Sequence, residues 1–303
     1  MLRTITLTLC FLIFSNLIHS QSFDNKLFAE LKYRYIGVDG NRAIAVVGEA
    51  GNAMVSYVGA ASGGIWKTED AGVTWKPIFD DQDVSAIGSL AIAPSNAKQV
   101  WAGTGESFVI RPAHPIGNGV YKSSDAGKTW KNMGLNATGR IGRIVVHPTD
   151  TNTVYVAALG HTHAPQQERG VYKTTDGGKT WARILFFDEN TGCNEIEIDP
   201  VNPLNLYAAM WQVDVKNWGL NSGGKNSGIY RSKDGGKTWE AMNKKNQIPF
   251  GESHIVGKTS VCIAPSAPSV IYALIEDKEP CLYRSKDGGE SWAMTIISHP
   301  MVA

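Results

Sequence analysis

The carboxylates, histidines and tryptophans that could do chemistry outside the repeated motif of this chain fall into three stretches. Paired carboxylates could supply the acid and the base or nucleophile of glycoside hydrolysis. Histidines could coordinate a metal ion, and tryptophan rings could stack on sugars or on aromatic partners. The candidates are Glu106, Arg111 and His114 in the first stretch; His161, His163 and Glu168 in the second; and Trp211, Asp214 and Trp218 in the third.

Most of these candidates also have a plain structural interpretation. Glu106 and Arg111 could bind a polar ligand, but a salt bridge between them that holds the loop is the favoured outcome. His161 and His163 are two residues apart, so they could share a metal only on an extended backbone with a third ligand such as His114. The chain has no CxxC pair and no His-x-x-x-His spacing. The sequence therefore predicts no metal site and no cofactor.

The two tryptophans leave the same choice open. Trp211 and Trp218 could stack on a ligand, or they could pack their own loop against the body of the protein. Glu168 and Asp214 are, with Glu106, the carboxylates that could act in catalysis if the chain is an enzyme. The fold that positions these stretches decides between the alternatives.

Five copies of one motif set the positions of the three stretches. Each copy begins with an aromatic residue, continues through Asp-x-Gly and ends on a tryptophan, as in 66–75. The aspartates are 55, 51, 58 and 53 residues apart, about the length of one four-stranded propeller blade. They are Asp70, Asp125, Asp176, Asp234 and Asp287, and the tryptophans are Trp75, Trp130, Trp181, Trp239 and Trp292.

A second element precedes the last four copies of the motif: an apolar or alternating run that ends in proline, as in 144–148. Such runs are typical of strands that end in turns. Each unit thus predicts strand A, turn, strand B, variable loop, strand C, motif turn and strand D. The fold class is all-β, a β-propeller of four-stranded antiparallel blades. The five predicted blades are approximately 33–80, 81–135, 136–188, 189–245 and 246–303.

The motif has the composition of a tight turn. An aspartate carboxylate accepts hydrogen bonds from turn amides, glycine supplies backbone freedom, and the tryptophan packs back over the hairpin as a core anchor. Because every blade repeats the motif, whereas a catalytic site needs one copy, we assign it to the scaffold. The variable B–C loops lie at the opposite end of each blade, so the three candidate stretches share one face. On one inner strand, Glu195 and Glu197 alternate with Ile196 and Ile198, which predicts a wet central channel.

The first twenty residues predict export. A positive start at Arg3 and an apolar stretch that follows fit a cleaved signal peptide at 1–20, with 21–32 as a lead-in. The mature chain is then secreted, periplasmic or at the cell surface, and we expect no transmembrane segment in it. The 29 basic and 28 acidic residues of the sequence, a net charge of +1, leave no basic face for nucleic acid.

These features resemble the Asp-box (BNR repeat) propellers, and most closely the exported bacterial proteins similar to the N-terminal domain of sortilin, which are often named glycosyl hydrolases. The resemblance covers about residues 33–293 and rests on the five motifs and on segments such as 101–106, 154–160 and 207–211. It implies a scaffold that binds a peptide, glycan or partner protein across its loop face. Relatives of this kind are longer, which predicts that the chain is truncated at its C-terminal end.

A more distant resemblance to xyloglucanase-type propellers implies a glycoside hydrolase as the alternative. Those propellers carry a catalytic aspartate in a first-blade segment Asp-x-Gly-Gly, and Ala61 stands at that position here. We therefore expect a non-catalytic binding module first, an incomplete fragment second and a hydrolase third. The sequence names neither the ligand nor the oligomeric state.

Overall fold

Short apolar or alternating runs, ended by proline, glycine or the motif turns, form strands throughout the described part of the chain. The computed structural model describes residues 42–109, 115–242, 248, 250, 254–278 and 281–297. The predicted signal peptide at 1–20 and lead-in at 21–32 lie outside these residues. The strands are β1 (Ala43–Glu49), β2 (Asn52–Ala60), β3 (Ile65–Thr68), β4 (Lys76–Pro77), β5 (Ile87–Ala93), β6 (Asn96–Thr104), β7 (Val120–Ser123), β8 (Lys131–Asn132), β9 (Ile141–Val146), β10 (Val154–Ala158), β11 (Gly170–Thr174), β12 (Ala182–Leu185), β13 (Thr191–Ile198), β14 (Leu206–Lys216), β15 (Gly219–Ser222), β16 (Gly228–Ser232), β17 (Glu240–Ala241), β18 (Thr259–Ile263), β19 (Ile271–Ile275), β20 (Cys281–Ser285) and β21 (Ala293–Ile297). A 3-10 helix covers Asn136–Thr138.

These strands form five antiparallel sheets, each a meander of four strands that follow one another in the chain. The sheet orders are β1-β2-β3-β4, β5-β6-β7-β8, β9-β10-β11-β12, β13-β14-β16-β17 and β18-β19-β20-β21, and β15 pairs with the end of β14. This confirms the predicted fold class, an all-β propeller of four-stranded antiparallel blades. We number the blades one to five and call the four strands of each blade A to D.

The A strands of successive blades face one another. β1 packs against β5, β5 against β9, β9 against β13, and β13 against β18. Residues of all five A strands line one cavity. The A strands are therefore the inner strands, as in a propeller whose blades radiate from a central channel.

Each motif aspartate fixes its own turn by three hydrogen bonds, as Asp125 illustrates. Its Oδ1 accepts the hydroxyl of Ser123 at 2.8 Å and the amide of Thr129 at 2.9 Å, and its Oδ2 accepts the hydroxyl of Thr129 at 2.6 Å. The hydrogen bonds from Thr129 lower the pKa of the Asp125 carboxyl to about 2. Equivalent bonds form at Asp70, Asp176, Asp234 and Asp287. Both carboxylate oxygens are thus engaged by the turn itself.

The motif tryptophans connect neighbouring blades. The sequence predicted that each ring packs over its own hairpin, and a Cβ on Gly127 of the second turn would lie 3.8 Å from the Trp130 ring. In addition, three of the tryptophans donate their indole N–H to a carbonyl within or just after strand D of the preceding blade. The pairs are Trp130 with Ile78 at 2.8 Å, Trp181 with Met133 at 2.8 Å, and Trp239 with Ile184 at 3.1 Å. Trp292 differs, since it is buried and donates to Gly289 of its own turn.

The hydrophobic core lies between blades as well as within them. One cluster joins blades one and two around Tyr57, Ile65 and Ile87. A second joins blades two and three around Trp101 and Ile141, and a third runs through blades three, four and five. The fold is therefore held by interfaces between successive blades, which also fix the positions of the loops.

Replacing Trp130 with phenylalanine removes the hydrogen bond to Ile78 and keeps an aromatic ring between blades one and two. A hydrogen bond of this kind contributes about 1 kcal/mol to stability. We therefore expect the free energy of unfolding, measured by urea titration, to fall by about 1 kcal/mol more than in the matched variant Trp75→Phe. Trp75 is the control because its Nε1 has no acceptor among the described residues. Equal losses in the two variants would contradict the role of the inter-blade bond.

Candidate functional site

Apolar side chains from the end of strand B or from the B–C loop of three blades pack together. We call this cluster the loop platform; it consists of Val109 of blade two, Leu159 of blade three, and Trp211, Val213 and Val215 of blade four. All five residues are buried. The structure thus brings together the three candidate stretches that the sequence placed on one face.

A β-hairpin extends from the loop platform. The end of β14 continues beyond its sheet and pairs with β15, with Lys216 opposite Gly219 at the turn. The amide of Val215 donates to the Thr162 carbonyl of blade three at 2.7 Å. Alternation along the strand buries Val215 and leaves its neighbours half-buried. The hairpin is therefore anchored to the neighbouring blade by backbone and side chain together.

The two tryptophan candidates lie in different environments. Trp211 is buried, and its Nε1 donates to the Ser222 Oγ at 2.9 Å, so it packs the hairpin onto the platform. Trp218 lies in the hairpin turn and is 85% exposed. Of the two alternatives that the sequence left open, Trp211 follows the packing one, and Trp218 has the exposed ring that stacking on a ligand requires.

The two described histidine candidates point to separate partners. Burial, with Arg140 and Arg169 nearby, lowers the pKa of His161, whose ring packs against Gly139. The Nδ1 of His163 lies 2.9 Å from the Val215 carbonyl. His114 lies outside the described residues. Within the part of the chain that the structure describes, no group of three His, Cys, Asp or Glu residues is arranged to hold a metal ion.

The carboxylate candidates are spread over different surroundings. Glu106 is fully buried and forms an ion pair with Arg42 of blade one. The sequence favoured Arg111 as its partner, but Arg111 lies outside the described residues, and Arg42 reaches Glu106 from 64 positions away in the chain. Glu168 is half-buried. The Asp214 carboxylate lies 3.0 Å from Lys216 Nζ. Glu106 is therefore closed to ligand, whereas Asp214 is accessible.

The inner strands of all five blades line one polar cavity of about 230 Å³. Of Glu195 and Glu197, which the alternation of β13 placed on one channel face, Glu195 lines the cavity. Glu197 is not among the lining residues but forms an ion pair with Arg143, which lines it. The sequence missed the other polar lining residues, although aligning the five A strands would have shown those that lie in or beside these strands. The missed residues are Ser89, Ser107, Asn194, Lys258 and Ser260, and the half-exposed ring of Phe108 also lines this cavity.

Charged groups beside this cavity are partly desolvated. Burial raises the pKa of Glu197 to about 7, against the ion pair with Arg143 at 3.0 Å, which lowers it. Burial lowers the pKa of Lys258, whose ammonium lies over the rings of Phe108 at 5.4 Å and Trp211 at 5.2 Å. The Ser260 hydroxyl and the Val261 amide donate to Glu195. The cavity offers both donors and acceptors, as a hydroxyl-rich ligand requires.

The position that carries a catalytic aspartate in xyloglucanase-type propellers is apolar here. Ala61 is fully buried, and its amide donates to the Arg42 carbonyl at 2.8 Å. No carboxylate can therefore act from this position.

The model of the Sortilin-Vps10 family, described as sortilin, neurotensin receptor 3, matches residues 63–194 and 118–247. The xyloglucanase Xgh74A of Acetivibrio thermocellus is 25% identical over 209 residues, which cover 61% of this chain and 24% of that protein. The vacuolar protein sorting/targeting protein 10 of Sordaria macrospora is 30% identical over 132 residues, which cover 43% of this chain and 8% of that protein.

Among solved structures, a GH74 enzyme of Niastella koreensis superposes with a TM-score of 0.61 at 22% identity, covering 83% of this chain and 38% of that one. This likeness supports the propeller fold. The chain spans about a quarter of the length of the xyloglucanases from Acetivibrio thermocellus that it matches. No helix among the described residues is long and apolar enough to cross a membrane.

The raised pKa of Glu197 predicts a pH dependence of stability. The folded state binds this proton more tightly than the unfolded chain, whose carboxyl titrates near 4.5. The free energy of unfolding therefore falls as the pH rises from about 4.5 to about 7, and this loss levels off at higher pH. Urea titrations across that range should show the fall in the parent chain and a shallower one in Glu197→Gln. An identical slope in both would contradict the assignment.

Proposed function

The chain belongs to the Sortilin-Vps10 family, and from this premise we propose that it is a non-catalytic module that binds an extended glycan across its loop face. The observation that carries the proposal is Trp218, an indole that is 85% exposed in the turn of an anchored hairpin. A flat ligand that covers a large exposed aromatic ring removes much apolar surface from water, which favours binding. Sugar rings present such flat apolar faces.

The lining of the central cavity favours a glycan over an apolar ligand. The central cavity is lined by hydroxyl, amide, carboxylate and cationic groups, and Phe108 adds a second aromatic surface to it. A few convergent polar groups beside aromatic platforms are what a binding site for a hydroxyl-rich chain needs. The match to xyloglucanases supports a β-glucan such as xyloglucan as the first ligand to test. Peptide and protein ligands, which the family resemblance also implies, are the alternative outcomes of that test.

The partners and the burial of the candidate carboxylates favour binding without hydrolysis. Glycoside hydrolysis needs two carboxyl groups about 5 to 9.5 Å apart on either side of the scissile bond. Glu106 is buried in an ion pair, Asp214 is paired with Lys216, and Ala61 replaces the aspartate of the xyloglucanase-type propellers. Of these candidates, Glu168, which is half-buried, and Asp214, which is paired with Lys216, are the two that reach solvent.

A glycoside hydrolase is the second candidate function, because several relatives are xyloglucanases. Within this chain Glu168 and Asp214 would have to carry that activity. Export is part of the proposal: the signal peptide that the sequence predicts at 1–20 would direct the mature chain to a secreted, periplasmic or cell-surface location, where polysaccharide is encountered.

Replacing Trp218 with alanine should weaken binding of xyloglucan oligosaccharide by at least about tenfold, because the stacking surface is lost. Isothermal titration calorimetry on the mature chain, 21–303, gives the affinity. Trp218→Tyr keeps a stacking ring and should retain most of it. Leu220→Ala is the matched control, since Leu220 lies on the same hairpin and is 49% exposed without an aromatic ring.

Release of reducing ends, measured on the same samples, separates the two functions. We expect binding without turnover. Turnover that disappears in Glu168→Gln or Asp214→Asn would favour the hydrolase instead. Absence of binding to any glycan, with a peptide or protein bound at Trp218, would replace the proposed ligand class.

A further inference from the structure

The central cavity contains a cation that the described fold leaves without a counter-charge in contact. Lys258, which directly precedes β18, lines this cavity. Its Nζ lies 5.4 Å from the ring centre of Phe108 in blade two and 5.2 Å from that of Trp211 in blade four. Among the described residues this ammonium has neither a hydrogen-bond acceptor nor an ion-pair partner. It is therefore held between two blades by aromatic faces.

Two carboxylates act on Lys258 electrostatically, Glu195 and Glu276, but neither contacts its ammonium. The Oε2 of Glu195 accepts the Ser260 hydroxyl and the Val261 amide. The Oε2 of Glu276 accepts the backbone amide of Lys258 at 2.6 Å. Both carboxylates are thus engaged by other donors, and the charge of the ammonium is only partly compensated.

Glu276 also fixes the position of this cation. Its backbone amide donates to the Lys258 carbonyl at 2.9 Å, in addition to the bond that its side chain accepts from the Lys258 amide. The same Oε2 accepts the Ser222 hydroxyl at 2.7 Å, and the Ser222 Oγ accepts the indole N–H of Trp211 at 2.9 Å. One side chain therefore holds both the backbone of Lys258 and one of the rings that its ammonium contacts.

A ligand carboxylate is the group that this arrangement lacks. Aromatic faces attract an ammonium, but they replace only part of the hydration that it loses on burial. A carboxylate would supply the counter-charge and accept charge-assisted hydrogen bonds. Arg143, the other cation that lines the cavity, already pairs with Glu197 at 3.0 Å. The place for an anionic group is therefore at Lys258.

The rest of the lining suits a sugar ring that carries this carboxylate. Phe108 is 50% exposed and offers an apolar face. The Ser89 Oγ accepts the Ile144 amide at 2.9 Å, and its own proton has no acceptor among the described residues. Asn194 adds a side-chain amide. The cavity, about 230 Å³, is smaller than the roughly 300–1,000 Å³ of pockets for drug-sized ligands, so it suits one sugar residue.

We propose that the central cavity binds a uronate residue of an acidic glycan, with its carboxylate on the Lys258 ammonium and its ring against Phe108. Lys258 then selects uronate-containing glycans over neutral ones, because a neutral sugar leaves the ammonium without its counter-charge. This inference rests on the proposed function, glycan binding, and names the class of glycan. An acidic peptide is the alternative occupant that its test must separate.

A matched pair of ligands tests the role of the carboxylate by isothermal titration calorimetry on the mature chain, 21–303. Trigalacturonate and its fully methyl-esterified form share their sugar rings and differ in charge. We expect the parent chain to bind the free acid at least about tenfold more tightly than the ester, because only the acid supplies the counter-charge. Equal affinities for the two would overturn the proposal.

Variants at Lys258 test which residue makes the selection. Lys258→Met keeps a long side chain without its charge, so it should abolish the preference for the acid and leave the affinity for the ester within about twofold of the parent value. Lys258→Arg keeps the charge and should retain the preference. Lys67→Met is the matched control, since Lys67 lies 5.5 Å from the ring centre of Tyr57 and does not line the cavity. A preference that persists in Lys258→Met would contradict the assignment.

Trp218→Ala separates this inference from the proposed function. Stacking does not depend on charge, so any loss in Trp218→Ala should be the same for acid and ester, whereas Lys258→Met should weaken binding of the acid alone. Binding of xyloglucan oligosaccharide with no preference for trigalacturonate would overturn the inference and leave the proposed function standing. Absence of binding to all three glycans would remove both. Binding of triglutamate instead of trigalacturonate, lost in Lys258→Met, would make the occupant an acidic peptide and overturn the inference.

Discussion

The whole fold depends on an ionised aspartate that binds the hydroxyl and amide groups of its own turn. Asp125 accepts from Ser123 and Thr129, and the other four motif aspartates accept equivalent bonds. A turn fixed in this way holds the carbonyl after the aspartate at a constant place, where the preceding blade can bond to it. The same local arrangement recurs in all five blades, and contacts between neighbouring blades add to the stability of each one.

The two ends of the blades have separate tasks. The motif turns fasten blade to blade at one end, so the B–C loops at the other end are free to differ in length and sequence. Three of those loops use that freedom to build the loop platform, from which the β14–β15 hairpin extends. The ion pair of the buried Glu106 with Arg42 ties the B–C loop of blade two to blade one. The proposed binding site therefore lies on loops that the blades support, rather than on the repeated motif.

The sequence predicted the strands and turns that recur in every blade, but not the contacts that occur only once. Strand order follows from the periodicity of the sequence, and the motif turns follow from local hydrogen bonding. The structure confirms the first as five four-stranded sheets and the second as the hydrogen bonds of the motif aspartates. The partner of Glu106 could not be predicted, because Arg42 reaches it across a blade interface. Trp211 and Trp218 have the same side chain and lie seven positions apart, yet one is buried and the other exposed. The additional strand β15 decides between them, and nothing in the spacing of the repeat indicates it. Lys258 lies outside the three variable stretches, so only alignment of the inner strands points to it.

The glycines at 59 and 103 have a geometric consequence for the array as a whole. They let the next inner strand approach until a Cβ would overlap the facing isoleucine, whereas alanine occupies this position at the third and fourth interfaces. Side-chain volume at this one position of strand B therefore limits how closely the inner strand of the next blade can approach.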